Sequence, residues 1–148
     1  MNSKIFREYD IRGVVGEDLT AESVEQIGKA VGTYIKREGG KTLTLGRDMR
    51  TSSNEFRDIL ANGLMSTGCD VIDIGSVPTP VSYFSLHHLN ADGGVMITGS
   101  HNPPEFNGFK ISSGCHSLYG EKIRELKGLI DTLDFETGNG SHTEQKIL

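Results

Sequence analysis

Apolar positions along the chain alternate between a helical and an extended period. Residues 20–38 carry Val24, Ile27, Val31, Tyr34 and Ile35 at helical spacing, with Thr20 as a cap and Gly39-Gly40 as a stop. That predicts a helix with one buried face. Gly28 and Gly32 lie close to it, where glycine costs helix propensity unless it permits tight packing, here on a sheet. KTLTLG (41–46) alternates as a strand does and runs into GRDMRTSS. Ser52 and Glu55 then have capping-box spacing, and Phe56, Ile59, Leu60 and Leu64 share a face until Gly68. CDVIDIG (69–75) reads as a second buried strand, and Thr79-Pro80 opens a third helix with Val81, Phe84 and Leu89 inward. GGVMIT (93–98) is a third strand. NGFKIS (107–112) follows after a loop too short for a crossover helix, so it should pair antiparallel. A last helix spans about 120–133, with Ile123, Leu126, Ile130 and Leu133 at helical spacing.

This rhythm of strands and helices defines an α/β class: a three-layer α/β/α domain with a mixed sheet of about four main strands, mostly parallel with one antiparallel. Residues 1–134 make the domain. The polar, aperiodic stretch 135–148 reads as a linker or arm toward a second domain. At 148 residues the chain is long enough for one domain and too short for two ordinary ones. A net charge of −5 argues against nucleic acid or an anionic membrane surface as partner. The sequence has no run of about 20 apolar residues and no apolar core in MNSKIFREYD, which points to a cytosolic protein. Cys69 and Cys115 lack CxxC spacing and read as buried thiols. His87, His88, His116 and His142 lack metal-ligand spacing.

Ligands of open α/β sheets bind beyond the carboxyl ends of the strands, where GRDMRTSS, GSVPTP and TGSHNPP fall. TGSHNPP places Ser100 directly past a strand end and stiffens its far side with consecutive prolines. A hydrolase triad does not fit, because neighbouring side chains in an extended loop point apart, which separates Ser100 from His101, and there is no GxSxG elbow. An exposed serine can instead carry a phosphoryl group, whose charge needs cations and N–H donors. Gly99 would admit a close backbone approach, Lys110 returns on the next strand, and Arg7, Arg12, Arg47 and Arg50 lie in loops that could reach it. The same Asn, Pro and Gly residues also suit a plain turn, and Asp10 and Asp48 stand ready to pair the arginines.

TGSHNPPEFNGFK (98–110) resembles the phosphoserine loop of the α-D-phosphohexomutases, in particular the phosphomannomutase/phosphoglucomutase group. FREYDIRG (6–13) and GRDMRTSS (46–53) resemble two further blocks of the same N-terminal domain, in the same order. The resemblance implies that Ser100 is the phosphorylated serine. It would exchange its phosphoryl group with hexose 1- and 6-phosphates of mannose or glucose through a bisphosphate intermediate, and bind Mg²⁺ through a phosphate oxygen. Lys110 or Arg12 would act as proton shuttle or charge stabiliser, and His101 would position the loop. Tyr9 would line the sugar site with Arg7 in support, and Asp48 with Arg47 or Arg50 would scaffold the loop. Family members bring an aspartate-rich metal loop, a sugar-recognition loop and a phosphate-binding loop in later domains, and none of these is in the sequence. The resemblance therefore implies a first domain without appreciable turnover of its own, completed by C-terminal domains of the same protein. The alternative is a non-catalytic phosphosugar-binding or regulatory module.

Overall fold

The first helix, α1 (Ala21–Arg37), begins where its spacing predicts. The Thr20 hydroxyl accepts from the Ser23 amide at 3.2 Å, and the Ser23 hydroxyl accepts from the Thr20 amide at 2.8 Å, so two otherwise orphaned donors are satisfied reciprocally. The computed structural model describes residues 1–147. After a 3-10 turn at Ser3–Ile5 the elements run β1 (Ile11–Val14), α1, β2 (Thr42–Arg47), α2 (Thr51–Ser66), β3 (Asp70–Ser76), α3 (Thr79–His88) and β4 (Gly93–Ile97). They continue as β5 (Phe106–Ser113), β6 (His116–Ser117), α4 (Glu121–Asp131) and β7 (His142–Glu144).

The sheet has the order β1-β5-β4-β2-β3-β7, with β6 paired to β5. Strands β2, β3, β4 and β7 pair in parallel, while β1, β4 and β6 each pair antiparallel with β5. β5 alone therefore runs against the rest, as its short approach loop predicts. The strand count exceeds the four main strands expected. β1 escaped because IRGV is four residues long and holds an arginine and a glycine, too little for a periodic signal. β7 escaped because HTE is polar and exposed. Its place is held by backbone bonds, with the Val71 amide donating to Ser141 O at 2.8 Å and the Gln145 amide to Asp73 O at 2.9 Å.

Helices α1, α2 and α4 cover one face. Their apolar sides join Ile11, Leu43, Leu45, Val71, Val95, Ile97, Phe109 and Ile111 in a single core, with Phe56 and Phe109 tilted at 6.1 Å between ring centroids. Gly28 does serve close packing, but against α2 and not the sheet: a Cβ there would lie 2.7 Å from Leu60 O and 3.1 Å from Gly63 Cα. Gly32 faces the Thr67 side chain in the same way.

Among the described residues α3 is the one helix on the other face, resting on β2 and β4. Its buried residues are Ser82, Ser85 and Leu86, and Phe84, expected inward, is 52% exposed. The Ser85 hydroxyl donates to Ser82 O at 2.6 Å and meets Thr44 Oγ1 at 3.1 Å, so small satisfied hydroxyls bring this helix close to the sheet where large apolar groups were expected. Leu133, assigned to the last helix, lies past its end and is exposed. Cys69 is buried as expected, and burial raises its thiol pKa, but Cys115 is exposed on the β5–β6 turn. Among the described residues no helix is long and apolar enough to cross a membrane.

Candidate functional site

The loop between β4 and β5 starts where the ladder stops. The Thr98 amide makes the last sheet bond, to Gly108 O at 3.0 Å, and Gly99 and Ser100 then turn away. Ser100 is exposed and sits at φ 51°, a left-handed conformation that costs a residue with a side chain on the order of 1–2 kcal/mol. Three contacts maintain it. The Ser100 amide donates to Thr98 Oγ1 at 2.9 Å, the Asn102 amide donates to Gly99 O at 3.0 Å, and Arg50 Nη2 donates to Ser100 O at 3.3 Å.

Asp48 and Arg50, just past β2, hold the loop from beneath. Asp48 Oδ2 accepts the Gly99 amide at 2.9 Å, while Oδ1 accepts the Arg50 amide at 3.0 Å and the Ser53 hydroxyl. Burial alone would raise the Asp48 carboxyl, but the bonds from Ser53, from the Gly99 and Arg50 amides and from Thr98 outweigh it and hold the pKa below its ordinary value. The Arg50 guanidinium spans the loop, donating to Asn102 O at 2.6 Å, Pro103 O at 2.8 Å and Phe106 O at 2.9 Å. This is the scaffold expected of Asp48, with Arg50 as the arginine. Arg47 turns to buried Asp73 at 3.2 Å and to Asn54 at 2.7 Å.

Sequence reasoning missed Asn107, which is fully buried and donates to the Ser52 and Ser53 hydroxyls at 2.8 and 2.9 Å. It ties the start of β5 to the first turn of α2, and those bonds replace the expected Ser52–Glu55 capping box. Helix α2 has Arg50 at its N-cap, without a side-chain cap bond. The sequence places Asn107 at the start of a strand, but asparagine is a mostly exposed residue type, so its full burial has no local signal.

A second cluster lies on β1 and β5. Arg12 pairs with Asp10 at 2.8 Å, and Lys110 approaches the same carboxylate at 3.9 Å. Lys110 and Tyr9 line a cleft of about 460 Å³ with Tyr83, His116 and Tyr119. Gly108 pairs with Arg12 on one side and with Thr98 on the other, so two strand spacings, about 10 Å, separate the backbones of Arg12 and Thr98. The structure thus brings Tyr9, Arg12 and Lys110 together and sets Ser100 and His101 on the adjoining loop, both exposed. Arg7 is exposed outside the cleft lining. Its charge helps lower the Asp18 pKa, though less than the bonds from the Val14 amide and Asn2 do. Among the described residues no group of three or more His, Cys, Asp or Glu could hold a metal ion.

Fold and site define an α/β/α domain that presents one clamped, exposed serine past a central strand. Residues 3–137 match the family profile of phosphoglucomutase/phosphomannomutase, alpha/beta/alpha domain I, and the chain belongs to that family as its domain I. A phosphomannomutase/phosphoglucomutase of Pseudomonas aeruginosa is 46% identical over 146 residues, which are 99% of this chain and 32% of the relative. A phosphoglucomutase/phosphomannomutase of Thermococcus kodakarensis is 49% identical over 110 residues, 73% of this chain and 24% of the relative. The crystal structure of a family protein from Burkholderia thailandensis superposes with a TM-score of 0.94 at 40% identity, covering 99% of this chain and 34% of that one. The chain spans about a third of the length of these relatives.

Proposed function

We propose that Ser100 is the phosphoryl carrier of a phosphohexomutase that interconverts hexose 1-phosphate and hexose 6-phosphate, of glucose or mannose. The observation that carries this reading is the exposed serine held in a left-handed conformation by the Asp48 and Arg50 clamp, on the loop that leads into the strand carrying Lys110. In the transfer, a free hydroxyl of the hexose monophosphate bonds to the phosphorus on Ser100 as the Oγ–P bond breaks. The hydroxyl proton ends on Ser100 Oγ, leaving a hexose bisphosphate, and the reverse step returns the other phosphoryl group to the serine. Catalysis of this kind rests on positioning and charge, which a stiff loop supplies without a triad.

Lys110 and Arg12 stabilise the transferred charge. Asp10 neutralises one of their two charges and holds both side chains in place. Tyr9, 73% exposed, offers its ring to the sugar, His101 positions the loop, and Arg7 supports the region from outside the cleft. Mg²⁺ needs oxygen ligands, and Asp48, the carboxylate bonded to the loop, is already committed to three donors. The chain's own residues therefore do not make a complete Mg²⁺ site. The phosphate on Ser100 would be its contribution, with the other ligands from further domains of the same protein. The 148 residues by themselves should show no appreciable turnover of glucose 1-phosphate.

Intact-mass measurement together with phosphopeptide mapping of protein purified from cells tests the carrier role. One phosphate is expected on the peptide that holds Ser100, and none in Ser100→Ala. Phosphate on another residue, with Ser100 unmodified, would sink the carrier reading.

A further inference from the structure

Four of the five N–H donors of the Arg50 side chain are already bonded to carbonyls of the protein. Four bonds go to the carbonyls of Ser100, Asn102, Pro103 and Phe106, and Nε faces Asp48 Oδ2 at 3.4 Å. The guanidinium lies directly over Gly99: a Cβ built there would overlap its Cζ, Nε and Nη1, which are the three nearest atoms. Gly99 is not among the residues with positive φ, so its backbone suits any residue. What demands a glycine is the arginine above it. The next residue, Ser100, carries the left-handed φ.

We infer that Arg50 and Gly99 are a matched positioning pair: the guanidinium occupies the space of the missing side chain, gathers four carbonyls of the loop, and fixes the Ser100 backbone without touching phosphate or sugar. The inference rests on Ser100 being the phosphoryl carrier for its catalytic consequence, but its structural part stands apart from that reading. Lysine cannot replace Arg50, because a point charge with three donors does not bridge a fan of four carbonyls. Gly99→Ala expels the guanidinium and so reproduces its loss. Once Arg50 is alanine, the same change meets no guanidinium.

Hydrogen exchange of the 148-residue chain separates these claims. The amides of Gly99, Ser100 and Asn102, each bonded in the loop, should exchange about tenfold faster or more in Arg50→Ala, Arg50→Lys and Gly99→Ala, while α1 stays protected as the control for folding. The double variant Arg50→Ala/Gly99→Ala should exchange no faster than Arg50→Ala alone. Unchanged exchange in Arg50→Ala, full rescue by lysine, or a Gly99→Ala effect that persists undiminished without Arg50 would each overturn the pair. In a form of the protein that turns over hexose 1-phosphate, Arg50→Ala should lower kcat about a hundredfold with KM within a few-fold. A rise in KM at unchanged kcat would assign Arg50 to substrate binding and refute the positioning role. If the exchange pattern appears while Ser100 never carries phosphate, the carrier reading falls and the pair stands.

Discussion

Asp48 joins three segments through one carboxylate, and its charge is what makes that possible. An ionised carboxylate accepts from the Gly99 amide, the Arg50 amide and the Ser53 hydroxyl at once, whereas an asparagine amide brings two hydrogens where acceptors are needed. Asp48→Asn should cost about 1–3 kcal/mol in urea unfolding, because buried donors lose their partner. The pH dependence has a definite sign. The folded pKa lies below the ordinary value of 3.8, so the stabilisation from Asp48 is fully present above that value and is lost as pH falls through the lower, folded value. The stability difference between wild type and Asp48→Asn should therefore shrink in acid, and a constant difference down to pH 2 would show that the charge is not responsible. At this scale the sequence was partly legible. Ser100, Asp48 and the approach of Lys110 follow from strand ends and loop chemistry, but the choice of Arg50 over Arg47 depends on the β2–β3 register, which shifts past the extra residue Ile74 of β3, and on Asp73 waiting on that strand. Neither has a local signal.

Among the elements, α1 and α2 set the frame on which the GRDMRTSS loop rests, and they meet at two glycines. A Cβ on Gly63 would overlap in turn with α1 backbone, 3.1 Å from Gly28 Cα and 3.2 Å from the Lys29 amide nitrogen. Alanine is worth about 1 kcal/mol over glycine inside a helix, yet overpacking backbone against backbone costs about 1–3 kcal/mol. Gly28→Ala should therefore lower the melting temperature, and an increase would mean that the helices separate freely. Helical periodicity found both helices, though not their glycine contact, because long amphipathic segments carry repeated signals, as in α1 with its Val24, Ile27 and Val31 stripe. It misplaced the inward side of α3, where Ser82 and Ser85 take the buried positions, and it left β1 and β7 unread. Short strands owe their place to partners: β1 to β5, with Ile11 opposite Phe109, and β7 to the exposed edge of β3.

The whole molecule is asymmetric. Among the described residues three helices seal one face, whereas on the other α3 rests mainly on β2 and β4 and borders, through Tyr83, the cleft that Tyr9, Lys110 and Tyr119 line. The aperiodic tail is tied first to the helices, where the Glu136 amide donates to Thr33 Oγ1 of α1 at 2.9 Å and the Gly138 amide to Ser66 O of α2 at 2.9 Å, and then to the sheet edge, which β7 extends beside β3. Ser100 is presented past β4, at the centre of this sheet. Whether Ser100 carries the phosphoryl group is decided by turnover of glucose 1-phosphate, with a bisphosphate primer and Mg²⁺, in a form of the protein long enough to be active. Ser100→Ala should reduce kcat about a thousandfold or more, and turnover within a few-fold of wild type in that variant would contradict the account.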